Sequence, residues 1–482
     1  MAHYEKLICL LLGFSFTILC LISFAPVTTA IQIGNDEHYE LTKALLCSKG
    51  FRLYDQVWND QPPVYTILLA SVFKVFGHQI AVARSVAVMF GLSFFAAFAS
   101  IVRRKTGFLA ASVSLCCLAA APQVFELSIS SMLEVPAIGT ALWALLLLMK
   151  WEENGKTTHL VLSGVVLAIG LQIKLTAAIA APPLFVEILL VQASSNYSYR
   201  SRLRQLAIWI GSLTATYGFV AVVFGSVPIN VLMDSHFSDL SQNAARNLGL
   251  SFSPAILLNN MEGVIGATVA FCLLLIRMEW RSLGYPLVWL LTALLLHTHH
   301  HPWWSYYSLH FAIPFAWLSG NAVSALFLFK RNHITSQWAV LVRHLLGIAL
   351  LSVMFSYGAE RLFLEVQRVR KLPTVDSFPI IKVLRANGAL SDTIYTRDTV
   401  YAFVAGLTVL PGLAVLPQKR FWSHQISEEA IWDRVKMQLP QQILLPRAFS
   451  PPYIRPFLAT HYVLVYSDGD HDLYIRSLSR DH

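Results

Sequence analysis

The chain has 482 residues, of which 56% are hydrophobic and only 13% charged, and its formal net charge is +9. Apolar runs long enough to cross a bilayer recur along it, which excludes a soluble globular enzyme and a disordered chain and marks a polytopic membrane protein. The positive charge does not point to nucleic acid, because Lys and Arg are gathered in short gaps between apolar segments, the pattern of a cytoplasmic membrane face.

The first apolar run covers 7–30. A secretory signal with Thr28-Thr29-Ala30 as a weak cleavage site is the alternative, but the apolar core is longer than a signal core. Just beyond it, Gly34-Asn35-Asp36-Glu37-His38-Tyr39-Glu40 sets two adjacent carboxylates at the membrane surface. Acids there are costly to desolvate and well suited to accept a proton, so Asp36 and Glu37 are the first candidates for chemistry. The plainer reading is a helix start: Asn35 as N-cap, Asp36 and Glu37 in the dipole-favoured first turn, Leu41, Ala44 and Leu45 on one apolar face, and Gly50 as terminator.

The loop begun there, about 31–78, is too long for a mere connector. It runs through Gly50-Phe51-Arg52-Leu53-Tyr54 and Trp58-Asn59-Asp60-Gln61-Pro62-Pro63-Val64-Tyr65 to Phe76-Gly77. The apolar stretch after the paired prolines is too short to span comfortably and predicts an interfacial or re-entrant helix.

Basic residues then punctuate the chain at Arg103-Arg104-Lys105, Lys150 with Lys156, Arg200, Arg202 and Arg204, Arg277 with Arg281, and Lys330-Arg331. Taken as cytoplasmic, they predict further spans over 79–102, 107–126, 132–150, 158–174, 176–193, 205–227, 257–276, 283–297, 305–329 and 338–357. With the first run this makes about eleven helices, the N-terminus in the cytoplasm and the C-terminal segment outside. The membrane domain is then 1–360. Residues 361–482 form a small extracytoplasmic α/β domain, with strand-like runs at 393–396, 461–466 and 473–476 and a helical stretch near 427–438. Cys9, Cys20, Cys116, Cys117 and Cys272 fall in spans and Cys47 stands alone outside, so no disulfide framework is expected. The sequon Asn196-Tyr197-Ser198 adjoins a cytoplasmic basic run and reads as chance.

The acidic pair after the first span, the Gly-x-x-Leu-Tyr run, the acidic residue before Pro-Pro-x-Tyr, then Phe-Gly and Ala-Arg-Ser opening the next span, carry a resemblance. The chain resembles the superfamily of dolichyl-phosphate-mannose protein mannosyltransferases and bacterial lipid A aminoarabinose transferases, over about residues 1 to 330. The resemblance implies a GT-C fold and a glycosyltransferase in the inner (plasma) membrane. It would take a sugar from a polyprenyl-phosphate donor in the bilayer to a glycan, lipid or protein hydroxyl outside the cytoplasm, with inversion.

On individual positions, the resemblance implies that Asp36 is the general base and that Glu37 completes an Asp-Glu pair; Glu37 either orients the acceptor or tunes the pKa of Asp36, since adjacent carboxylates raise each other's. Asp60-Gln61 falls where aminoarabinose transferases have Glu-Lys, a pair tied to metal and lipid phosphate. Neutral Gln61 cannot offer charge, so a cationic contact to the phosphate must come from elsewhere. Tyr65 of the Pro-Pro-x-Tyr run is taken with Gln61 as a substrate contact. Glu134 matches an acidic residue at the outer start of the fourth span, though it could also be a helix-start dipole partner. Lys174 interrupts the outer end of the fifth span and is either a phosphate-binding cation or a snorkelling lysine. Arg84 is a second phosphate candidate and Arg246 a weaker third. The run His297-Thr298-His299-His300-His301-Pro302-Trp303-Trp304-Ser305-Tyr306-Tyr307 could supply one histidine, His301, to a divalent metal with Asp60. Its aromatic residues, Tyr306 among them, fit an interfacial belt or a sugar contact. The competing class is a lipid-linked substrate transporter or flippase, with Glu134 and Lys174 as its working charges.

Overall fold

The computed structural model describes residues 2–190, 199–276, 280–328, 337–388, 392–447 and 452–477. The sequon at 196–198, Arg277 and Lys330-Arg331 lie outside them. Among the described residues, seven helices are long and apolar enough to cross a membrane: Glu5–Ser23, Ile80–Thr106, Glu134–Asn154, Tyr199–Phe224, Pro254–Ile276, Ser305–Phe327 and Gln337–Arg370. Each coincides with a predicted span. The other predicted spans fall on the shorter apolar helices Phe108–Ala119, Thr157–Ile173, Leu175–Leu189 and Leu283–His299, while Val64–Phe76 occupies the stretch read as interfacial.

The chain divides into two compact units. The bundle unit comprises Met1–Ala25, Ala87–Ala221 and Gly249–Lys371. At its heart is the Leu309–Phe327 helix, buried along nearly its whole length. Small residues let neighbouring helices approach it: a side chain at Gly320 would strike Ser114 Oγ and the Ala110 carbonyl, and one at Gly266 would strike Ser319. Such small-residue contacts hold helices together where apolar lipid gives little hydrophobic drive. Helices Glu134–Asn154 and Thr157–Ile173 form a hairpin turned by Gly155 at φ +66, a left-handed conformation that glycine adopts without strain.

The sheet unit comprises Pro26–Val86, Val222–Leu248 and Leu372–His482. Its division of the chain differs from a single boundary near 361, because the first loop and the 222–248 segment group with the C-terminal residues. The reason is a shared core: Ile31, Leu46 and Val57 of the loop cluster with Ile380, Ile381, Leu384, Ile394 and Leu444. The isolated bridge Ala30 to Thr374, flanked by Ile31 N donating to Pro373 O at 2.9 Å, secures the loop's start.

A five-stranded sheet of order β2-β1-β3-β5-β4 organises this unit: β1 Thr393–Thr396, β2 Thr408–Val409, β3 Gln442–Pro446, β4 Tyr462–Ser467 and β5 His471–Arg476. Strand β1 lies parallel to β2 and β3, and β5 antiparallel to β3 and β4. Side-chain alternation divides its faces: Ile394 and Leu444 enter one core, while Tyr395, Ile443 and Leu445 enter a second with Ile431, Trp432 and Leu458.

Candidate active site

In the sheet unit the helix α1, Glu37–Ser48, begins one residue later than the sequence pattern predicts: Asp36, not Asn35, is the N-cap residue, and its side chain makes no capping hydrogen bond. Leu41, Ala44 and Leu45 are buried on one face, and Gly50 at φ +98 takes the chain out of the helix. The two adjacent acids have opposite surroundings. Glu37 is wholly buried, and both its oxygens are occupied: Oε1 accepts from Arg84 Nε at 2.9 Å, and Oε2 from Arg84 Nη2 and Ile33 N, each at 2.8 Å. Asp36 is only half-buried at the helix's positive end. Its neighbours feel its charge. Burial, reinforced by Asp36, raises the Tyr39 hydroxyl above its ordinary range, and burial lowers the His38 imidazole against the pull of Asp36.

Arg84 does not serve as a phosphate cation in this arrangement. Its remaining Nη1 donates to the Val27 and Ala30 carbonyls at 2.7 and 2.8 Å, and the residue is 1% exposed, so a lipid phosphate would have to displace Glu37. The pair locks the start of α1 to the beginning of the Ile80–Thr106 helix, in a bidentate geometry that a buried ion pair needs.

A second network fixes the turn before the paired prolines. Buried Lys43 donates to Glu40 Oε1 at 2.7 Å and to Asn59 Oδ1 at 2.8 Å, and Asn59 Nδ2 and Tyr54 Oη both donate to the Gln61 carbonyl, at 2.6 and 2.8 Å. Tyr65, just inside the Val64–Phe76 helix, is wholly buried. Asp60, between them, pairs with two groups that sequence reasoning missed: His236 Nε2 lies 3.0 Å from its Oδ2, and Lys419 Nζ forms an ion pair with the same oxygen. Burial by itself would raise the Asp60 carboxyl, but Lys419 and His236 together outweigh it and hold the group well below its ordinary value. No local pattern announces either partner. The only hint was the need for a cation near neutral Gln61.

Asp60, expected with His301 at a metal, has partners of its own in the sheet unit. Those two residues belong to different units. Asp60 Oδ2 already faces an ammonium, and among the described residues no group of three His, Cys, Asp or Glu side chains is placed to hold a metal ion. One carboxylate and one imidazole beside a lysine fall short of a divalent-cation cage.

In the bundle unit the structure brings together three predicted residues. Glu134 is the first residue of its helix and Lys174 the last cap of the hairpin partner, so both lie at the same end of the hairpin. Lys174 Nζ forms an ion pair with Glu134 Oε1 and sits 4.7 Å from the Tyr306 ring centre and 5.7 Å from that of Tyr307. This is a cation held by a carboxylate and two aromatic faces. Close by in the same unit, His310, wholly buried, accepts or donates at 2.9 Å to His297, and His310 and Tyr307 stack. His301 is buried and precedes Pro302 through a cis peptide. Arg246 belongs to the sheet unit, near the end of the Asp239–Asn247 helix.

Comparison with known proteins places this geometry. The family model for dolichyl-phosphate-mannose-protein mannosyltransferases matches residues 60–223, a stretch that includes Asp60, Gln61, Tyr65, Arg84, Glu134 and Lys174 but not Asp36. No curated protein matches the chain by sequence. Among solved structures, ArnT from Cupriavidus metallidurans bound to undecaprenyl phosphate is similar at a TM-score of 0.61 and 13% identity, covering 98% of each chain. The oligosaccharyltransferase AglB from Archaeoglobus fulgidus, in complex with an inhibitory peptide and a dolichol-phosphate, is similar at 0.54 and 14% identity, over 100% of this chain and 75% of that one. The chain is therefore a multi-pass membrane protein with a GT-C fold, similar over residues 60–223 to the dolichyl-phosphate-mannose-protein mannosyltransferase family and similar in fold to ArnT.

Proposed function

We propose that the protein is a glycosyltransferase that moves a sugar from a polyprenyl-phosphate donor to an acceptor hydroxyl outside the cytoplasm. The observation that carries this reading is the contrast within the acidic pair: Glu37 is consumed by Arg84 and a backbone amide, whereas Asp36 stands half-exposed at a helix N-terminus with no capping bond. Asp36 is the general base. It takes the acceptor's proton as the hydroxyl oxygen attacks the anomeric carbon, the bond from that carbon to the phosphate oxygen breaks, and the polyprenyl phosphate leaves as an anion. One displacement with one base inverts the anomeric centre. Glu37 and Arg84 position Asp36 through the start of α1 and do not touch substrate.

The relatives fit this donor class, since ArnT is recorded with undecaprenyl phosphate and AglB with a dolichol-phosphate. The test is chemical: the purified protein, given a radiolabelled polyprenyl-phosphate sugar and membrane extract as acceptor, should release free polyprenyl phosphate and label a new product of inverted configuration. A donor that is relocated across vesicles but never consumed would contradict the proposal.

A further inference from the structure

We infer that Lys419, from the C-terminal part of the sheet unit, is a phosphate-binding residue held in place by Asp60, supplying the charge that Gln61 lacks. The inference rests on the proposed polyprenyl-phosphate donor and names a further residue for its recognition.

Two cations of the sheet unit flank the paired prolines in sequence, and both are occupied. Arg84 is wrapped by Glu37 and two carbonyls, and Lys43 is buried between Glu40 and Asn59, so neither can turn to a ligand without leaving a buried acid unpaired. Lys419 differs. Among the described residues its one partner is the Asp60 carboxylate, and an ammonium has three protons to donate, which leaves two. The pair is also asymmetric in exposure: the Asp60 side chain is 6% exposed and those of Lys419 and His236 are each 19% exposed. The carboxylate is turned inward and the two nitrogen-bearing side chains outward, so the accessible end of the group presents donors and positive charge.

The position of Lys419 is built, not incidental. It lies on the short helix Gln418–Trp422, whose approach to the loop is fixed on both sides of Asp60. The Arg420 guanidinium packs 5.1 Å from the Trp58 ring centre and donates to the Val415 carbonyl at 2.9 Å. Trp58 Nε1 donates to Gln425 Oε1 at 2.9 Å, and Gln425 Nε2 donates to Ser235 Oγ at 3.0 Å, one residue before His236. Three chain segments thus converge on Asp60 and aim one lysine and one imidazole from the same carboxylate oxygen. A flexible lysine immobilised in this way loses less entropy when it grips an anion, which is the usual function of a supporting carboxylate.

The chemistry recognised is a lipid-linked phosphate, a diester in the sugar donor and a monoester in the polyprenyl phosphate that leaves. The experiment uses the full-length protein in detergent and measures binding of undecaprenyl phosphate, of undecaprenol and of inorganic phosphate to wild type, Lys419→Met and Lys419→Arg, with a melting curve for each. Expected is a Lys419→Met affinity for undecaprenyl phosphate roughly 10- to 100-fold weaker, the span of one charged hydrogen bond, with undecaprenol binding unchanged and Lys419→Arg near wild type. Weak inorganic phosphate binding that is lost in the same variant assigns the site to the phosphate group and not to the lipid. A purely structural lysine would lower the melting temperature and leave the preference for undecaprenyl phosphate over undecaprenol intact in both variants, which overturns the inference. If wild type itself shows no preference for the phosphorylated lipid, the proposed donor class falls, and this inference with it.

Discussion

Replacing Glu37 by Gln keeps the side chain's shape but removes the charge against which Arg84 is buried. Breaking a buried ion pair from one side costs about 3–5 kcal/mol, so Glu37→Gln should unfold at much lower temperature than wild type. Asp36→Asn, by contrast, removes no hydrogen bond at the helix cap and should shift stability by no more than about 0.5 kcal/mol. Thermal melts of the two variants side by side check both expectations. The pair was visible in sequence as two carboxylates beside a membrane span. Their different circumstances were not, because the partner that separates them, Arg84, lies 47 residues away. The same holds at Asp60, whose partners His236 and Lys419 come from segments 176 and 359 positions removed. The residue type marks a candidate, and only the fold says which of its atoms remain available.

Among the elements, the membrane helices were the most legible, since length and apolarity alone define them. Their packing was less so. Gly320 reads in sequence as one more small residue in an apolar run, yet a methyl group there would meet Ser114 Oγ and backbone at Ala110. Gly320→Ala should therefore cost about 3 kcal/mol by overpacking, while Gly211→Ala, with nothing within 4 Å, should be neutral or slightly stabilising. Detergent-stability measurements distinguish them. Lys174 and Glu134 were placed at matching helix ends from topology, and the hairpin through Gly155 brings them into an ion pair. That the lysine also rests on Tyr306 and Tyr307 follows from the turn Ser305–Ser308 and has no local sequence signal.

For the whole molecule, the sequence suggested a membrane domain followed by a soluble one. The structure instead gathers the first loop, the 222–248 segment and the C-terminal sheet into one unit with shared cores. Hydrophobic patterning within each segment gives no indication of this, because the pairing is entirely long-range. It has a consequence for pH. Asp60 is held well below its ordinary value of 3.8, so in the unfolded chain it binds a proton more readily than in the folded protein. Its ion pair should contribute fully above about pH 4 and be lost only as the pH falls through the lowered folded value. The stability difference between wild type and Asp60→Asn should accordingly shrink as the pH falls below about 4, as pH-dependent melts would show.

The proposed transfer turns on Asp36 as the group that removes the acceptor's proton. The direct measurement is sugar transfer from a polyprenyl-phosphate donor by wild type and Asp36→Asn, reconstituted at equal protein level and with melting curves matched. Loss of a general base predicts a fall of roughly 10²- to 10⁴-fold in turnover with donor binding retained. Transfer by Asp36→Asn at the wild-type rate would contradict that role for Asp36.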